Sequence, residues 1–125
     1  KLVSGNSGVQ IRSSKIPKTN FDMQGPQIEI TSAESLLWGT LLMAPTWKTK
    51  VTADLSAVRR VLHPSDFNEV IIRCVEKHVT VMLNDVVVLD ADYPDLPAEG
   101  MIGLQLHQGE EAQEVHFREI AIRPL

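Results

Sequence analysis

Short segments in which apolar and polar residues alternate recur along this chain, and they restrict its fold more than any other feature. Val9 and Ile11 alternate with polar residues, and so do Ile28 and Ile30. Side chains that alternate between two faces are typical of half-buried β-strands. The pattern predicts strands at residues 7–12, 25–31, 68–75, 79–83, 86–90, 101–107 and 114–122, with a less regular one at 36–43.

Turn residues between these segments indicate how the strands connect. Polar residues at 76–78 and 84–85 separate three β-rich runs, which predicts two linked hairpins. The acidic segment 108–111 is expected to turn the strand at 101–107 back against the strand at 114–122. Within that last strand the apolar parity changes near Arg118, which predicts a β-bulge there.

Little of the chain has any other pattern. Residues 13–20 are polar, contain a proline and have no period, so they are predicted as a loop. Apolar residues at helical spacing occur at 52–62, where one short helix is expected before Pro64. Many short strands with few helical segments predict an all-β antiparallel domain, either a sandwich or a jelly roll.

Length and charge exclude several classes of protein. A chain of 125 residues can bury one hydrophobic core, so one domain is expected. The net charge of −4 offers no basic surface for the phosphates of a nucleic acid. No segment approaches the roughly 18 consecutive apolar residues of a membrane span. The single cysteine, Cys74, cannot form an internal disulfide. We therefore expect neither nucleic acid nor membrane as a partner.

The polar positions of three predicted strands carry an unusual set of side chains. They are amides, one carboxylate, one guanidinium and one imidazole, whereas lysine is the common choice for a merely solvated sheet face. Such planar groups offer donors and acceptors in fixed directions, which suits hydrogen bonds to sugar hydroxyls. The set comprises Asn6, Gln10, Arg12, Gln27, Glu29, Gln105 and His107. Of the two tryptophans, Trp38 is the candidate for stacking against a sugar ring, and Trp47 is expected in the core.

Six segments, in order along the chain, resemble motifs of the 3-keto-disaccharide hydrolase family. They are GNSGVQIR at 5–12, GPQIEI at 25–30, DFNE at 66–69, MLND at 82–85, GMIGLQLH at 100–107 and VHFREI at 115–120. The resemblance covers nearly the whole chain, and the order of the motifs makes it specific. It implies a jelly-roll sandwich similar to concanavalin-type lectins and glucanases, with carbohydrate bound on the concave polar sheet.

The resemblance also implies how the chain is organised and where it acts. Residues 1–125 would form one jelly-roll domain, the C-terminal two-thirds of a larger family domain whose first strands are missing. A homodimer or a partner that supplies the missing strands is therefore expected, because open sheet edges are normally covered or paired. A secreted or periplasmic location follows from the resemblance alone.

The chemistry that the resemblance implies is hydrolysis of 3-keto-glycosides. A ketone at C3 acidifies the hydrogen at C2, so a base can remove it, the C1 substituent can leave and water can add. We assign Glu29 as the base and His107 as the acid for the leaving group. Arg12 and Asn6 are assigned as stabilisers of the developing oxyanion. The substrate-binding residues are expected to be Asn6, Gln10, Gln27, Trp38 and Gln105, with no cofactor and no metal.

Less specific interpretations of the same residues stay open. Arg12 and Glu29 could form a structural salt bridge. His107 and His116 would share a face if the last hairpin forms, and with nearby glutamates they could hold a divalent metal. Pro26 stands where family members commonly have a glutamate, which favours a non-catalytic carbohydrate-binding or interaction module. A purely structural association domain is a third alternative.

Overall fold

A computed structural model describes residues 1–19, 22–108 and 112–124 of the chain. Its ten strands and one helix are β1 (Leu2–Ser4), β2 (Ser7–Lys15), β3 (Met23–Ile30), β4 (Leu41–Ala44), β5 (Lys48–Val51), α1 (Leu55–Val61), β6 (Val70–Val75), β7 (His78–Leu83), β8 (Val86–Asp92), β9 (Met101–Leu106) and β10 (Glu114–Val115). The all-β prediction is thereby confirmed. The helix among the described residues is too short and too polar to cross a membrane.

The strands form antiparallel sheets that pack into a β-sandwich. The larger sheet has the order β5-β4-β3-β2-β9, and the smaller one has the order β6-β7-β8. β1 and β10 form a separate two-stranded ribbon. The two linked hairpins predicted between residues 68 and 90 are the β6-β7-β8 sheet, so that prediction is confirmed.

One hydrophobic core joins the two larger sheets. Ile28 and Leu41 enter it from the five-stranded sheet, and Val79, Val81 and Leu83 enter it from alternate positions of β7. Burying each of these side chains stabilises the fold by roughly 1.5–3 kcal/mol. The core holds the polar face of β3 in place, because neighbouring side chains of a strand point to opposite faces.

Helix α1 covers one end of the core where the sequence predicted a helix. Asp54 ends the preceding extended segment, and its carboxylate accepts hydrogen bonds from the backbone N–H groups of Ser56 and Ala57. Such an N-cap satisfies backbone donors that the first turn leaves without partners. Ala57 and Val58 face the core. The helix is shorter than the predicted range because Asp54 starts it.

The predicted C-terminal hairpin does not form. β10 pairs with β1, and β9 pairs with β2, so the segment at 114–122 is not the partner of the strand at 101–107. Beyond β10, the described residues up to 124 contain no strand, so the bulge predicted near Arg118 is also wrong. β10 already ends at Val115, before the change of parity, and Ile120 and Ile122 beyond it are largely exposed. The connecting residues 109–111 lie outside the described residues.

Two local predictions also need correction. β2 continues to Lys15, so the first part of the predicted loop at 13–20 is strand. β4 begins only at Leu41, and Trp38 before it lies in a turn rather than at the centre of a strand. In both places hydrogen bonding to neighbouring strands, rather than the local pattern, decides the conformation.

One edge of the larger sheet is open in the described part of the chain. β9 has a described partner only in β2, and its alternate side chains Ile102, Leu104 and Leu106 are about half exposed or more. A strand added to this sheet would pair here. The homodimer or strand-completing partner stays a prediction.

Arg12 joins the two sheets instead of lying on the polar face. The register of β2 shifts between Gln10 and Ser13, and Arg12 adopts a φ of 44° at this irregularity. A bulge changes the direction of the side chain that follows it. The guanidinium donates hydrogen bonds to the backbone oxygens of Cys74 at 3.2 Å, Glu76 at 2.5 Å and Pro97 at 3.0 Å. The assignment of Arg12 as an oxyanion stabiliser is therefore corrected to that of a structural link.

We predict that Arg12→Lys lowers the free energy of unfolding by about 2–4 kcal/mol. Lysine cannot reach three carbonyl oxygens at once, and each hydrogen bond to a charged group contributes roughly 1.5–3 kcal/mol. Urea denaturation measures the loss, with Arg59→Lys on the exposed face of α1 as the matched control within about 0.5 kcal/mol of wild type. A catalytic role would instead be indicated by lost turnover at unchanged stability.

A second electrostatic feature lies on the outer face of the smaller sheet. The ring of His78 donates from Nε2 to Asp90 at 2.9 Å and from Nδ1 to Asp92 at 2.7 Å, which only the protonated imidazole can do at once. The hydrogen bonds to Asp90 and Asp92 raise the pKa of His78 above its ordinary 6.5. The hydrogen bonds from His78 and Thr80 lower the pKa of Asp90 below its ordinary 3.8.

We predict that His78→Gln is more destabilising at pH 5.5 than at pH 8.5. A histidine whose folded-state pKa is raised contributes fully below its unfolded pKa, and the contribution is lost as pH rises through the folded value. Asp90, whose folded-state pKa is lowered, stabilises the fold above its unfolded pKa. The stabilisation from His78 and that from Asp90 are therefore both present at about pH 5.5. Urea denaturation at the two pH values measures the difference. The difference should vanish in an Asp90→Asn, Asp92→Asn background, and its persistence there would contradict this explanation.

Candidate active site

The polar face of the five-stranded sheet gathers side chains from its three adjacent strands β3, β2 and β9. Gly8 of β2 lies opposite Glu29 of β3 on one side and opposite Gln105 of β9 on the other. Two pairs further along, Gln10 lies opposite Gln27. Directly opposed residues of antiparallel strands share a face. The register therefore places four planar polar side chains side by side, opposite to the core face of β3.

A chain of hydrogen bonds connects these side chains. Gln27 Nε2 donates to Glu29 Oε2 at 3.0 Å and to Gln105 Oε1 at 2.9 Å. Gln10 Nε2 donates to Gln27 Oε1 at 3.3 Å, and Asn6 Nδ2 donates to Glu29 Oε1. Both carboxylate oxygens of Glu29 thus accept hydrogen bonds from neutral amides. The network fixes the orientation of Glu29, since each of its oxygens has its own donor.

Glu29 is a buried carboxylate without a cationic partner among the described residues. Its exposed fraction is 4%. The ion pairs of the described residues involve His78, His116 and Arg118, so the proposed salt bridge between Arg12 and Glu29 is absent from this part of the chain. Burying an ionised group costs several kcal/mol even after relaxation. A carboxylate retained in such a place is a candidate functional group.

A pocket of about 160 Å³ opens above Glu29. Its lining residues are Asn6, Glu29, Leu37, Leu42, Trp47, Gln105 and His107. The strand order explains the arrangement: Glu29 belongs to the central strand β3, the apolar residues come from β4 and its flanks, and the polar residues come from the side of β2 and β9. The pocket therefore has one apolar wall, one polar wall and a carboxylate between them.

The size of this pocket limits what it can hold. Pockets for drug-sized ligands have about 300–1,000 Å³, so this smaller one suits a single sugar ring rather than an extended chain. A wider depression at residues 62–66 is formed by one contiguous loop and contains none of the predicted site residues. The pocket above Glu29 is therefore the candidate active site.

Comparison with known families identifies the domain as a whole. A family model described as a 3-keto-alpha-glucoside-1,2-lyase-like domain matches residues 1–123. The chain belongs to this family. The resemblance inferred from the six sequence motifs is thereby confirmed. No curated protein matches the chain.

In this lyase-like domain, most of the predicted site residues come together. Asn6, Glu29, Gln105 and His107 line the pocket itself. Gln27 is fully buried beneath it and connects Glu29 with Gln105. Gln10 is one hydrogen bond further away, next to Gln27. Arg12 is absent from this group because its guanidinium is bound to backbone oxygens of other segments.

The two tryptophans have exchanged their expected positions. Trp38 is 3% exposed and packs in the core cluster, so its assignment as a substrate-binding residue is wrong. Trp47 was expected in the core, but it is 47% exposed and lines the pocket. A usable signal was present: Trp47 follows a proline and a threonine in a segment without alternation, which is typical of an exposed turn.

The histidine pair considered for a metal is not assembled as expected. His116 lies just after β10 and its Nε2 contacts Glu114 at 2.6 Å. The expected neighbourhood with His107 depended on the hairpin that does not form, and Glu110 and Glu111 lie outside the described residues. Within the ranges that the structure describes, no three His, Cys, Asp or Glu side chains are placed to hold a metal ion.

The absence of a side chain at position 8 allows the network to form. A Cβ on Gly8 would overlap Gln27 Nε2 and lie 2.5 Å from its Cδ. The side chain of Gln27 passes over this glycine and donates hydrogen bonds to Glu29 and Gln105. Position 8 therefore controls the orientation of both pocket residues through Gln27.

We predict that Gly8→Ala destabilises the domain by about 1–3 kcal/mol, because the added methyl group overpacks against a fully buried amide. Gly103→Ala is the matched control on the neighbouring strand. There the close contacts of the new Cβ would be with the flexible end of Met23, with Sδ at 2.6 Å, and Gln10 Cβ lies at an ordinary 3.7 Å, so we expect less than about 1 kcal/mol. Equal losses in urea denaturation of the two variants would contradict the role of Gly8.

Proposed function

We propose that this domain cleaves 3-keto-glycosides by elimination across C1 and C2 of the keto sugar, followed by addition of water. The observation that carries the proposal is the buried carboxylate of Glu29, which has only neutral amide donors among the described residues and opens to a pocket the size of a sugar ring. The description of the family as 3-keto-alpha-glucoside-1,2-lyase-like supports the same chemistry.

The proposed reaction begins with the C2 hydrogen. The C3 ketone makes this hydrogen acidic, and Glu29 removes it as a proton while the electron pair moves onto the ketone oxygen as an enolate. The enolate then re-forms the ketone, a C1–C2 double bond forms, and the C1–O bond breaks with its electrons on the leaving oxygen. His107 protonates that oxygen. Addition of water to the resulting enone gives the free 3-keto sugar, so the overall reaction is hydrolysis.

Orientation of the base comes from Asn6 and Gln27. Each donates a hydrogen bond to one oxygen of Glu29, so the carboxylate is fixed before the substrate arrives. A base that is already oriented avoids reorganisation during proton transfer. Proton transfer by a positioned side chain typically contributes about 10²- to 10⁴-fold to the rate.

The enolate oxygen requires a donor in place of the Arg12 guanidinium. Gln105 Oε1 accepts a hydrogen bond from Gln27, which directs the amide oxygen of Gln105 toward the network. Its amide nitrogen points away from this bond and would direct its N–H donors to a ligand oxygen, since an amide has its donors and its acceptor on different atoms. We assign Gln105 Nε2 as the donor to the C3 oxygen, together with Asn6 on the same wall.

His107 occupies the outer rim of the pocket. It follows directly after β9 and is exposed. An imidazole changes its charge near neutral pH and can therefore donate a proton to a leaving group. An exposed position suits this role, because a glycosidic oxygen lies where the sugar in the pocket joins the rest of the substrate outside it.

A non-catalytic carbohydrate-binding module is the alternative use of the same pocket. The sequence argument for it was Pro26, which stands where relatives commonly have a glutamate. Pro26 is fully buried and has the same parity in β3 as Ile28, which faces the core. A carboxylate at position 26 would not face the pocket, so this substitution does not remove a base from it.

We predict that Glu29→Gln lowers turnover of a 3-keto-α-glucoside by about 10²- to 10⁴-fold while binding changes little. Glutamine keeps the shape of the side chain and removes the base. Its unfolding midpoint should change little, because the lost buried charge offsets the loss of one of the two hydrogen bonds that Glu29 accepts from Asn6 and Gln27. Steady-state kinetics measures turnover, and the exposed Glu34→Gln is the control with full activity.

Outcomes of this experiment separate the candidate functions. Unchanged turnover in Glu29→Gln would reject Glu29 as the base. Saturable binding without turnover in wild type would indicate the binding module. The parent α-glucoside, which lacks the ketone, should bind without being cleaved, since its C2 hydrogen is not acidified.

A further inference from the structure

The apolar wall of the pocket has no part in the proposed proton transfers. It consists of Leu37, Leu42 and Trp47, opposite the wall of Asn6, Gln105 and His107. Leu42 is buried, whereas Trp47 retains about half of its surface in contact with solvent. An indole held at the rim of a polar pocket is an available contact surface, because tryptophan can bury some 150–250 Å².

Hydrogen bonds around Trp47 hold its main chain in a defined conformation. The Trp47 N–H donates to the backbone oxygen of Met43 at 2.7 Å, and Thr46 Oγ1 donates to the same oxygen at 3.1 Å. Trp47 itself has a φ of 53°, in the left-handed region that is unfavourable for a bulky residue. Backbone strain of this kind persists where the surroundings enforce it, and it is found at ligand-binding sites.

We propose that Trp47 is a substrate-binding residue that packs against the C–H face of the sugar ring. A pyranose has ring faces lined by C–H groups and an edge lined by hydroxyls. The faces suit the indole, and the hydroxyl edge suits the amides and imidazole of the opposite wall. Glu29 lies between the two walls, so stacking on Trp47 holds the ring with C2 over the carboxylate. The assignment rests on the proposed function for the identity of the ring as a 3-keto sugar.

The chain contains a built-in spectroscopic test, since its two tryptophans differ in environment. Trp38 is buried in the core, and Trp47 is the one at the pocket. We titrate the protein with methyl α-glucoside, which has no ketone and cannot react by the proposed route, and follow tryptophan emission and its quenching by acrylamide. We expect a saturable emission change and protection from acrylamide in wild type, and neither in Trp47→Phe.

Affinity and kinetics provide the second arm. Trp47→Ala should weaken binding of methyl α-glucoside by about 10- to 100-fold in calorimetry, as expected for loss of one large apolar contact. With a 3-keto-α-glucoside as substrate, KM should rise by a similar factor with a smaller change in kcat, which is the pattern of lost ground-state binding. The affinity and the KM of Trp47→Phe should lie between those of wild type and those of Trp47→Ala. Leu36→Ala, which removes an exposed apolar side chain outside the pocket lining, should change neither quantity.

The results distinguish failure of this assignment from failure of the proposed function. Turnover of the keto substrate with unchanged KM in Trp47→Ala would overturn the role of Trp47 and leave the function intact. No turnover in wild type, combined with glucoside binding that Trp47→Ala weakens, would support Trp47 as a sugar-binding residue and reject the proposed function. Absence of both turnover and saturable binding in wild type would overturn both.

Discussion

The polar face of the larger sheet is arranged around the buried carboxylate of Glu29. Among the described residues, this carboxylate is stabilised by hydrogen bonds from neutral amides. Asn6 and Gln27 each bind one of its oxygens. Gln27 can reach it because position 8 has no side chain, and the same amide orients Gln105. Amides stabilise a buried charge less than a cation would, so the site has a cost in stability. Gln10 adds to that cost, since its buried Oε1 has no hydrogen-bond partner in the described part of the chain.

The bulge in β2 separates this site from the one guanidinium that the sequence placed beside it. Without the register shift, Arg12 would share the face of Gln10, two residues away, and could reach the polar cluster. Instead it binds three backbone oxygens and connects the sheets. The same irregularity thus connects the two sheets and leaves Glu29, the base of the proposed mechanism, without a cationic partner among the described residues. A salt-bridged glutamate would be a weaker base, because a nearby cation stabilises its ionised form.

Period-two alternation was sufficient to predict several strands and the amides that share one face with Glu29, and β-rich runs separated by turn residues predicted the β6-β7-β8 sheet. It could not predict which strands are adjacent. β10 pairs with β1, which begins the chain, and no local signal connects segments so far apart. Parity also fails to predict side-chain direction at a bulge, and for this reason Arg12 was wrongly placed on the polar face. The two tryptophans were misplaced because hydrophobicity alone does not separate a core residue such as Trp38 from a rim residue such as Trp47. Both lie in turns, and only their neighbours differ: two leucines precede Trp38, whereas a proline and a threonine precede Trp47.

The central claim is that cleavage proceeds through removal of the C2 hydrogen by Glu29, and the fate of that hydrogen tests it most directly. A 3-keto-α-glucoside is cleaved in D₂O, and the 3-keto sugar product is examined by proton NMR, with free 3-keto sugar incubated in the same solvent as the correction for spontaneous exchange. Elimination followed by hydration predicts that the product carries solvent deuterium at C2 and that Glu29→Gln forms almost none of it. A product that keeps its original hydrogen at C2, combined with no primary isotope effect on the cleavage of substrate deuterated at C2, would show direct displacement at C1 and would contradict the account.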